Sequence, residues 1–174
     1  FSFINVFGLA VGVAAFWLIL LFVGYELSFD HFHKKAERIY RVVQHAAWHS
    51  QDLDVAITSA PFAPALVNDY PEIEAAVRVN SEGGGVMTYE KNQLVVHDAF
   101  FVDSNFFNVF SFEFLHGNPG SCLAKPKSIV LTKSLAEKLF GDPSIALGKT
   151  IHFTNNFENV VTGVIKDVPI NSHL

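Results

Sequence analysis

The first 25 residues form an apolar run that constrains the fold more than any other feature of the chain. The run FSFINVFGLAVGVAAFWLILLFVGY contains no Asp, Glu, Lys, Arg or His. An α-helix of that length measures about 37 Å, which exceeds the roughly 30 Å hydrocarbon core of a bilayer. The run is also too long and too uniform for the apolar region of a cleaved signal peptide. Residues 1–25 therefore predict a transmembrane helix, after which all the charged residues follow.

The rest of the chain has the length and composition of one ordinary folded domain. The net charge of −5 disfavours a nucleic-acid partner, because such partners require a basic face. Phe1 lies inside the apolar run without an initiator methionine, and residue 174 directly follows a strand-like stretch. We therefore expect the sequence to be an excerpt of a longer protein, truncated at both ends.

Two glycines in the predicted span are candidates for helix packing. Gly8 and Gly12 form a small-xxx-small pair. Such pairs let two helix backbones approach closely in lipid, where the hydrophobic effect does not drive association. The alternative interpretation is that glycine is simply common in membrane spans.

The segment after the span predicts a helical connector over residues 26–41. Its apolar residues recur at a roughly helical period, and Asp30 could cap a second helix after a bend. Four cations follow within the same segment: Lys34, Lys35, Arg38 and Arg41. Cations beside a span favour the cytoplasm, but long domains are translocated largely regardless of charge. The charges therefore leave the sidedness of the membrane open.

Residues 42–174 alternate short strand patterns with short helix patterns, which predicts an α+β domain. The chain turns strand-like over 39–48, and further strands are expected at 55–59, 75–79, 86–90, 93–97, 112–115, 128–131, 149–153 and 160–165. Helices are expected at 61–70, at 104–110 with Ser104 as cap, and at 132–140 with Gly141 as the stop.

Most motifs that could carry chemistry have a simpler structural explanation. Gly148-Lys149-Thr150 resembles the end of a phosphate-binding loop, but Pro143 occupies the position of the required first glycine. A strand pattern also follows where that loop needs a helix, so we expect a turn into a strand.

Metal, cofactor and enzyme chemistry are not expected. The closest histidine pairs are His31 with His33 and His45 with His49, and no carboxylate completes a metal-binding spacing. Cys122 with His116 is a weak nucleophile signal, because catalytic partners are rarely neighbours in sequence. We predict no catalytic, cofactor-binding or metal-binding residues.

Seven phenylalanines lie within 15 residues, between Phe100 and Phe114. Phenylalanine buries a large apolar surface, so the favoured interpretation is a segment that fills the core. The alternative is an exposed aromatic patch that binds a partner.

Several stretches together resemble the MacB-like periplasmic core domain of ABC-transporter permeases of the FtsX-like family. The first span runs into YELSFDHFH and then RIYRV, and FFNVFSF is followed by LHGNP. The most specific match is SIVLTKSLAEKLFGD, which continues through LGKTI to VVTGVIKDVP. Their order and spacing are more specific than any single piece.

The resemblance implies a permease subunit that couples cytoplasmic ATP hydrolysis to movements of an extracytoplasmic domain, in efflux or in mechanotransmission. It implies the bacterial inner membrane, an ABC ATPase subunit on the cytoplasmic side, a second permease copy or paralogue, surrounding membrane lipid and a possible periplasmic adaptor. The connector would then transmit the movement, with Glu26, Asp30 and Phe32 as candidates for stalk coupling. The substrate is not specified by any residue.

Two other classes stay open at this point. A membrane-anchored sensor domain of a signalling receptor would also show one span followed by an α+β domain. An anchored extracytoplasmic enzyme would need a catalytic group, which the sequence does not offer.

Overall fold

A single long helix precedes the folded domain. The computed structural model describes residues 1–48, 51–81, 83–154 and 157–173. Helix α1 spans Ser2–Glu26 and buries none of its residues. A window of 18 residues within it has a mean hydropathy of 2.7, and α1 is the one helix in the described ranges that is long and apolar enough to cross a membrane. The helix predicted over residues 1–25 is therefore present.

The expected helical connector is wrong. Helix α1 ends at Glu26, residues 27–35 form consecutive turns, and a short 3₁₀ helix occupies Ala36–Arg38. The helix ends where the hydroxyl and the backbone N–H of Ser28 both donate to the carbonyl of Tyr25. In a continuing α-helix, that carbonyl would accept from the N–H four residues later. Asp30 then has a φ of +58°, in the left-handed region, so it does not cap a second helix.

The centre of the domain is a six-stranded mixed sheet. Strands β4, β5, β9 and β10 form one antiparallel run in the order β5-β4-β9-β10, and β10 also pairs with β7 antiparallel and with β8 in parallel. These strands are β4 Gly85–Tyr89, β5 Asn92–Val96, β7 Phe114–Gly117, β8 Ser128–Thr132, β9 Thr150–Phe153 and β10 Phe157–Ile165. The mixture of parallel and antiparallel pairs confirms the α+β class.

Helix α4, Lys133–Phe140, covers one face of this sheet. The Thr132 hydroxyl caps it by accepting from the N–H of Leu135, and Gly141 ends it with a φ of +80°. Ala136 and Leu139 are fully buried, and the core that they join consists of Met87, Val96, Leu131, Ala146, Ile151, Phe153, Val161 and Val164. The apolar residues of 128–140 and 149–165 thus supply most of the core.

The Gly-Lys-Thr sequence forms the expected turn. Gly148 has a φ of +76° and donates its N–H to the carbonyl of Val161 at 2.8 Å. Thr150 then begins β9, so a strand follows the turn as predicted.

Smaller elements flank the main sheet. A hairpin pairs β1 Gln44–Trp48 with β2 Gln51–Val55, α2 spans Phe62–Asp69, and β3 Val79–Ser81 pairs with β6 Phe100–Val102. Of the strand expected at 55–59, Val55 alone is in a strand, as the last residue of β2. Of the strand expected at 75–79, Val79 alone is in a strand, as the first residue of β3. In the latter, the N–H of Arg78 donates to the carboxylate of Asp103 at 2.9 Å instead of joining a strand ladder.

Helix α3 is shorter than predicted, and its cap differs. It spans Phe106–Val109, and the N-cap position belongs to Asn105 rather than Ser104. No side chain caps this helix, and the N–H of its first residue, Phe106, donates instead to the backbone carbonyl of Asp103 at 3.0 Å. His49, from one of the histidine pairs weighed against a metal site, lies outside the described residues.

Candidate functional site

The candidate site is the junction where the connector, defined as residues 27–38, meets the folded domain. It has two parts. The first is a polar clasp between Ser28, Asp30 and residues 171–173. The second is a contact between His33 and an aromatic cluster around α3.

The clasp joins residues that are 143 positions apart in the sequence. The Asp30 N–H donates to the carbonyl of Asn171 at 3.0 Å, and the Asn171 amide donates to the carbonyl of Ser28 at 2.9 Å. The Asp30 carboxylate accepts from the N–H of His173 at 3.1 Å and from the hydroxyl of Ser172 at 3.3 Å. Backbone and side chain together therefore fix the first turns after the span to residues 171–173.

A contact between a carboxylate and an imidazole adds to the clasp. His173 Nδ1 lies 2.6 Å from Asp30 Oδ2, and the His173 ring packs against Phe29 with centroids 4.8 Å apart. Partial burial raises the pKa of Asp30, but the hydrogen bonds and charge of His173 and the hydroxyl of Ser172 outweigh it. The net pKa of Asp30 lies below its ordinary value. The carboxylate is therefore ionised at neutral pH and available for a charge-assisted bond.

The second contact buries a histidine among phenylalanines. His33 is 4% exposed, and its ring centroid lies 5.2 Å from that of Phe110 and 5.3 Å from that of Phe112. Its Nδ1 accepts a hydrogen bond from the backbone N–H of Ser111 at 3.1 Å. In return, the N–H of Lys34 donates to the Ser111 hydroxyl at 3.2 Å. The connector is thereby fixed to the segment that follows α3.

The phenylalanine-rich segment divides between the two interpretations that its sequence allowed. Phe106 is buried, and its ring contacts Phe107, Phe110 and Phe112 in the aromatic cluster. Phe100 and Phe101, on β6, are 40% and 60% exposed. The later residues of the segment thus pack together, whereas those on β6 contribute to an exposed apolar surface.

The tautomer of His33 follows from its hydrogen bond. Because Nδ1 accepts from Ser111, the proton of the neutral ring resides on Nε2. That Nε2 atom is buried and has no hydrogen-bond partner within the described part of the chain. Burial lowers the pKa of His33, and this effect outweighs the raising effect of the Asp30 charge. His33 is therefore neutral at pH 7.

Two ion pairs anchor the end of the connector. Lys35 Nζ lies 3.2 Å and Arg38 Nη2 lies 2.8 Å from the two carboxylate oxygens of Glu74. All three side chains are exposed, so solvent screens these pairs and each contributes little to stability. These bonds orient the 3₁₀ helix rather than stabilise the domain.

The structure brings together some of the residues singled out in the sequence. Asp30 lies in the clasp, and the Phe32 ring packs on His33 and on Phe112, with centroids 4.0 and 5.9 Å away. Glu26 is the exposed last residue of α1, and its carboxylate bonds to none of the described residues. A Cβ added at Gly8 or Gly12 meets no described atom within 4 Å, so this face of α1 is open.

Other junction residues were missed in the sequence. Asn171, His173 and Ser111 carry most of the hydrogen bonds to the connector. No local pattern marks them, because their partners lie far away in the chain.

Cys122, the weak nucleophile candidate of the sequence, lies away from the junction. It is buried with its thiol 3.6 Å from the Pro119 carbonyl. Burial raises the pKa of the Cys122 thiol, so the thiol stays protonated at neutral pH.

The buried, neutral His33 predicts a pH-dependent stability. Its pKa in the folded protein lies below its value in the unfolded chain, so the unfolded chain binds the proton more readily. Stability is thus complete above the ordinary histidine pKa of about 6.5 and falls as the pH decreases through and below that value. We expect urea titrations between pH 7.5 and 5 to show this loss, and the His33→Phe variant to show a shallower pH dependence. An identical dependence in the two proteins would contradict the assignment.

The chain belongs to the MacB-like periplasmic core domain family. The family profile matches residues 2–173, which is nearly the whole chain. This match confirms the resemblance found in the sequence. The protein is thus a periplasmic core domain of the kind found in membrane permeases, with an apolar helix that fits a membrane anchor.

Solved structures add a fold comparison. The chain is similar to a domain of a predicted permease protein from Porphyromonas gingivalis, with 26% identity and a TM-score of 0.62, over 71% of this chain and 52% of that one. It is also similar to the extracellular domain of the noncanonic ABC-type transporter YknZ from Gram-positive bacteria (21% identity, TM-score 0.44, 52% and 48% coverage). A third similarity is to the periplasmic region of MacB from Actinobacillus actinomycetemcomitans (18% identity, TM-score 0.46, 60% and 50% coverage).

The chain spans about half the length of each of these solved structures. Of the three, the Porphyromonas domain has a TM-score above 0.5 and supports the fold assignment. A comparison with curated proteins found no significant match.

Proposed function

We propose that this chain is the first span and outer domain of a permease subunit in an ABC transport system of the bacterial inner membrane. Its domain would lie on the extracytoplasmic side and move in response to ATP hydrolysis in the cytoplasm, in efflux or in mechanotransmission. The observation that carries the proposal is the family match over residues 2–173, which includes both the apolar helix and the outer domain.

The junction supports a mechanical role. In the part of the chain that the structure describes, the connector follows α1 directly and joins it to the outer domain. The connector is not a helix that could act as a rod. Instead, the clasp at Asp30 and the contact at His33 hold it to the domain at two separate places. We infer that the span end and the outer domain move as one body, as rigid-body transitions require.

The proposal includes partners that are absent from this chain. ATP hydrolysis would come from a cytoplasmic ABC ATPase subunit, and a second permease copy or paralogue would complete the membrane part. A periplasmic adaptor is a further possible partner. None of the described side chains identifies a transported substrate.

Copurification tests the proposal. The full-length protein would be isolated from native membranes in mild detergent, and the ATP-hydrolysing subunits that accompany it would be identified and quantified. A stoichiometric ABC ATPase is the expected result. A chain that carries its own kinase-like domain and no ATPase would favour the sensor interpretation instead.

Gly12→Leu is expected to weaken the assembly of the membrane part. Gly8 and Gly12 lie one helical turn apart on an open face of α1, and leucine would keep a second backbone at a distance. Gly24→Leu is the matched control, because Gly24 is equally open but lies about 120° around the helix from Gly12. The yield of assembled complex after detergent extraction should fall for Gly12→Leu and not for Gly24→Leu. An equal effect of both substitutions would contradict the packing role.

A further inference from the structure

The connector is attached to the folded domain at three successive places. Along the chain these are the clasp at Asp30, the contact of His33 with the aromatic cluster, and the ion pairs of Lys35 and Arg38 with Glu74. Each attachment includes a side chain that gains or loses a proton. The middle one differs from the outer two, because its titratable group is a buried, neutral ring rather than a carboxylate.

The middle attachment accepts only the neutral form of His33. Nδ1 accepts from the N–H of Ser111 at 3.1 Å, so the ring proton is on Nε2. A second proton would have to bind Nδ1, where it would point at the Ser111 N–H and replace the acceptor with a donor. The N–H at Nε2 is also buried and has no acceptor within the described ranges. The charged ring therefore cannot keep this bond.

The domain side of the contact offers no compensating charge. Two phenylalanines pack against the His33 ring, and residues 104–112, which contain α3 and its flanks, include no titratable side chain. The acids on either side of this range are already paired, Asp103 with Arg78 and Glu113 with Lys166. A charged imidazole here would be buried without a partner, which is costly.

The connector side offers one carboxylate and two cations. The carboxylate of Asp30 already accepts from residues 172 and 173. Lys34 and Lys35 follow His33 directly, and His31 is exposed. Burial lowers the pKa of His33 by more than the charge of Asp30 raises it. The surroundings on both sides thus favour expulsion of the ring when it is protonated.

The two outer attachments withstand the same acid. The pKa of Asp30 lies below its ordinary value, and the bonds from Lys35 and Arg38 lower the pKa of Glu74. Both carboxylates therefore remain ionised at about pH 5.5, roughly one unit or more above their ordinary pKa values. A protonated His173 ring still donates to Asp30 through Nδ1, so the clasp keeps its bonds.

We propose that acid releases the middle of the connector from the outer domain while both of its ends stay attached. Protonation of His33 breaks its bond to Ser111 and expels the ring from the aromatic cluster, whereas the clasp and the Glu74 ion pairs persist. The stretch between the two remaining attachments is then free to change shape. In the permease proposed above, movement of the span would be transmitted less directly when the exterior is acidic, and this consequence rests on the proposed function.

Amide hydrogen exchange of the full-length protein in nanodiscs, at pH 7.5 and 5.5, tests the release. Exchange is read at single residues by mass spectrometry and expressed as a protection factor, which removes the intrinsic effect of pH. The Ser111 N–H reports the middle attachment, and the His173 N–H reports the clasp. The released ring has the ordinary histidine pKa of about 6.5, so protection at Ser111 should fall about tenfold at the lower pH.

Two further sites show whether the release is local. Protection at His173 should not fall at the lower pH, because the clasp persists. Amides of β10 should stay better protected than Ser111 at both pH values, because the contact opens without unfolding of the core. A loss at His173 together with Ser111 would overturn the proposal, and so would equal protection of Ser111 at both pH values.

His33→Asn isolates the role of the ring nitrogen. Its amide oxygen is an acceptor in place of Nδ1 that cannot be protonated in this range, so protection at Ser111 should become independent of pH. His31→Asn is the matched control, because it removes an exposed histidine of the same connector and should retain the tenfold fall. A fall that persists in His33→Asn would contradict the proposal. Copurification of the ATPase is scored separately, so failure of the release is distinguishable from failure of the proposed function.

Discussion

Leu139→Ala is expected to lower the free energy of unfolding of the outer domain by about 2–5 kcal/mol. Leu139 is 1% exposed and lies on the face of α4 that packs on the main sheet. Truncation removes buried apolar contacts and leaves a cavity that the surrounding sheet fills only in part. Urea titration of the full-length protein in detergent micelles, followed by circular dichroism, measures the change.

Leu147→Ala is the matched control for this prediction. Leu147 is 40% exposed and precedes the turn at Gly148, outside the buried core. We expect a change below about 1 kcal/mol, as for substitutions away from buried features. Equal losses for the two variants would mean that α4 does not cover the sheet as described.

Asp30→Asn is expected to open the clasp. The Asp30 carboxylate accepts from His173 N–H and Ser172 hydroxyl and contacts the His173 ring. Asparagine keeps the left-handed backbone at a φ of +58°, which alanine would strain, and it removes the charge. Charge-assisted hydrogen bonds contribute about 1.5–3 kcal/mol, so the His173 N–H should exchange with solvent deuterium about 10- to 100-fold faster.

The control for Asp30→Asn is the same substitution at an exposed aspartate. Asp98 lies in the loop before β6, and Asp98→Asn should leave exchange at residues 171–173 unchanged. Slow exchange of the His173 N–H in both variants would show that the carboxylate does not hold the clasp.

Local sequence patterns predicted the elements whose causes are local. The apolar run gives α1, the Thr132 cap and Gly141 stop bound α4, and Gly148 turns the chain into β9. The prediction of a helical connector was wrong. The apolar residues of the connector keep a helical period in the sequence, but in the structure they pack against residues elsewhere in the fold. Ser28 ends the helix by bonding backward, and Asp30 takes a left-handed conformation that serves the clasp.

The junction itself could not be predicted from one sequence. The sequence singled out Asp30 as a helix cap, but in the structure Asp30 caps no helix. It bonds instead to His173, which lies 143 positions away. His33 is part of an ordinary run of aromatic and basic residues, and its burial depends on Phe110 and Phe112 folding against it. Such tertiary contacts leave no signal in local periodicity or spacing.

A distance within the chain measures whether the end of the span and the outer domain move as one body. Spin labels at Leu27→Cys, beside the span, and at Lys149→Cys, in the outer domain, would report their separation in a Cys122→Ser background. The measurement uses the full-length protein in nanodiscs with its ATPase, diluted with unlabelled protein so that each assembly carries one labelled chain. We expect a single narrow distance that is the same with and without ATP, and a broader distribution after Asp30→Asn. A broad or ATP-dependent distance in the parent protein would show that the span end and the outer domain move independently.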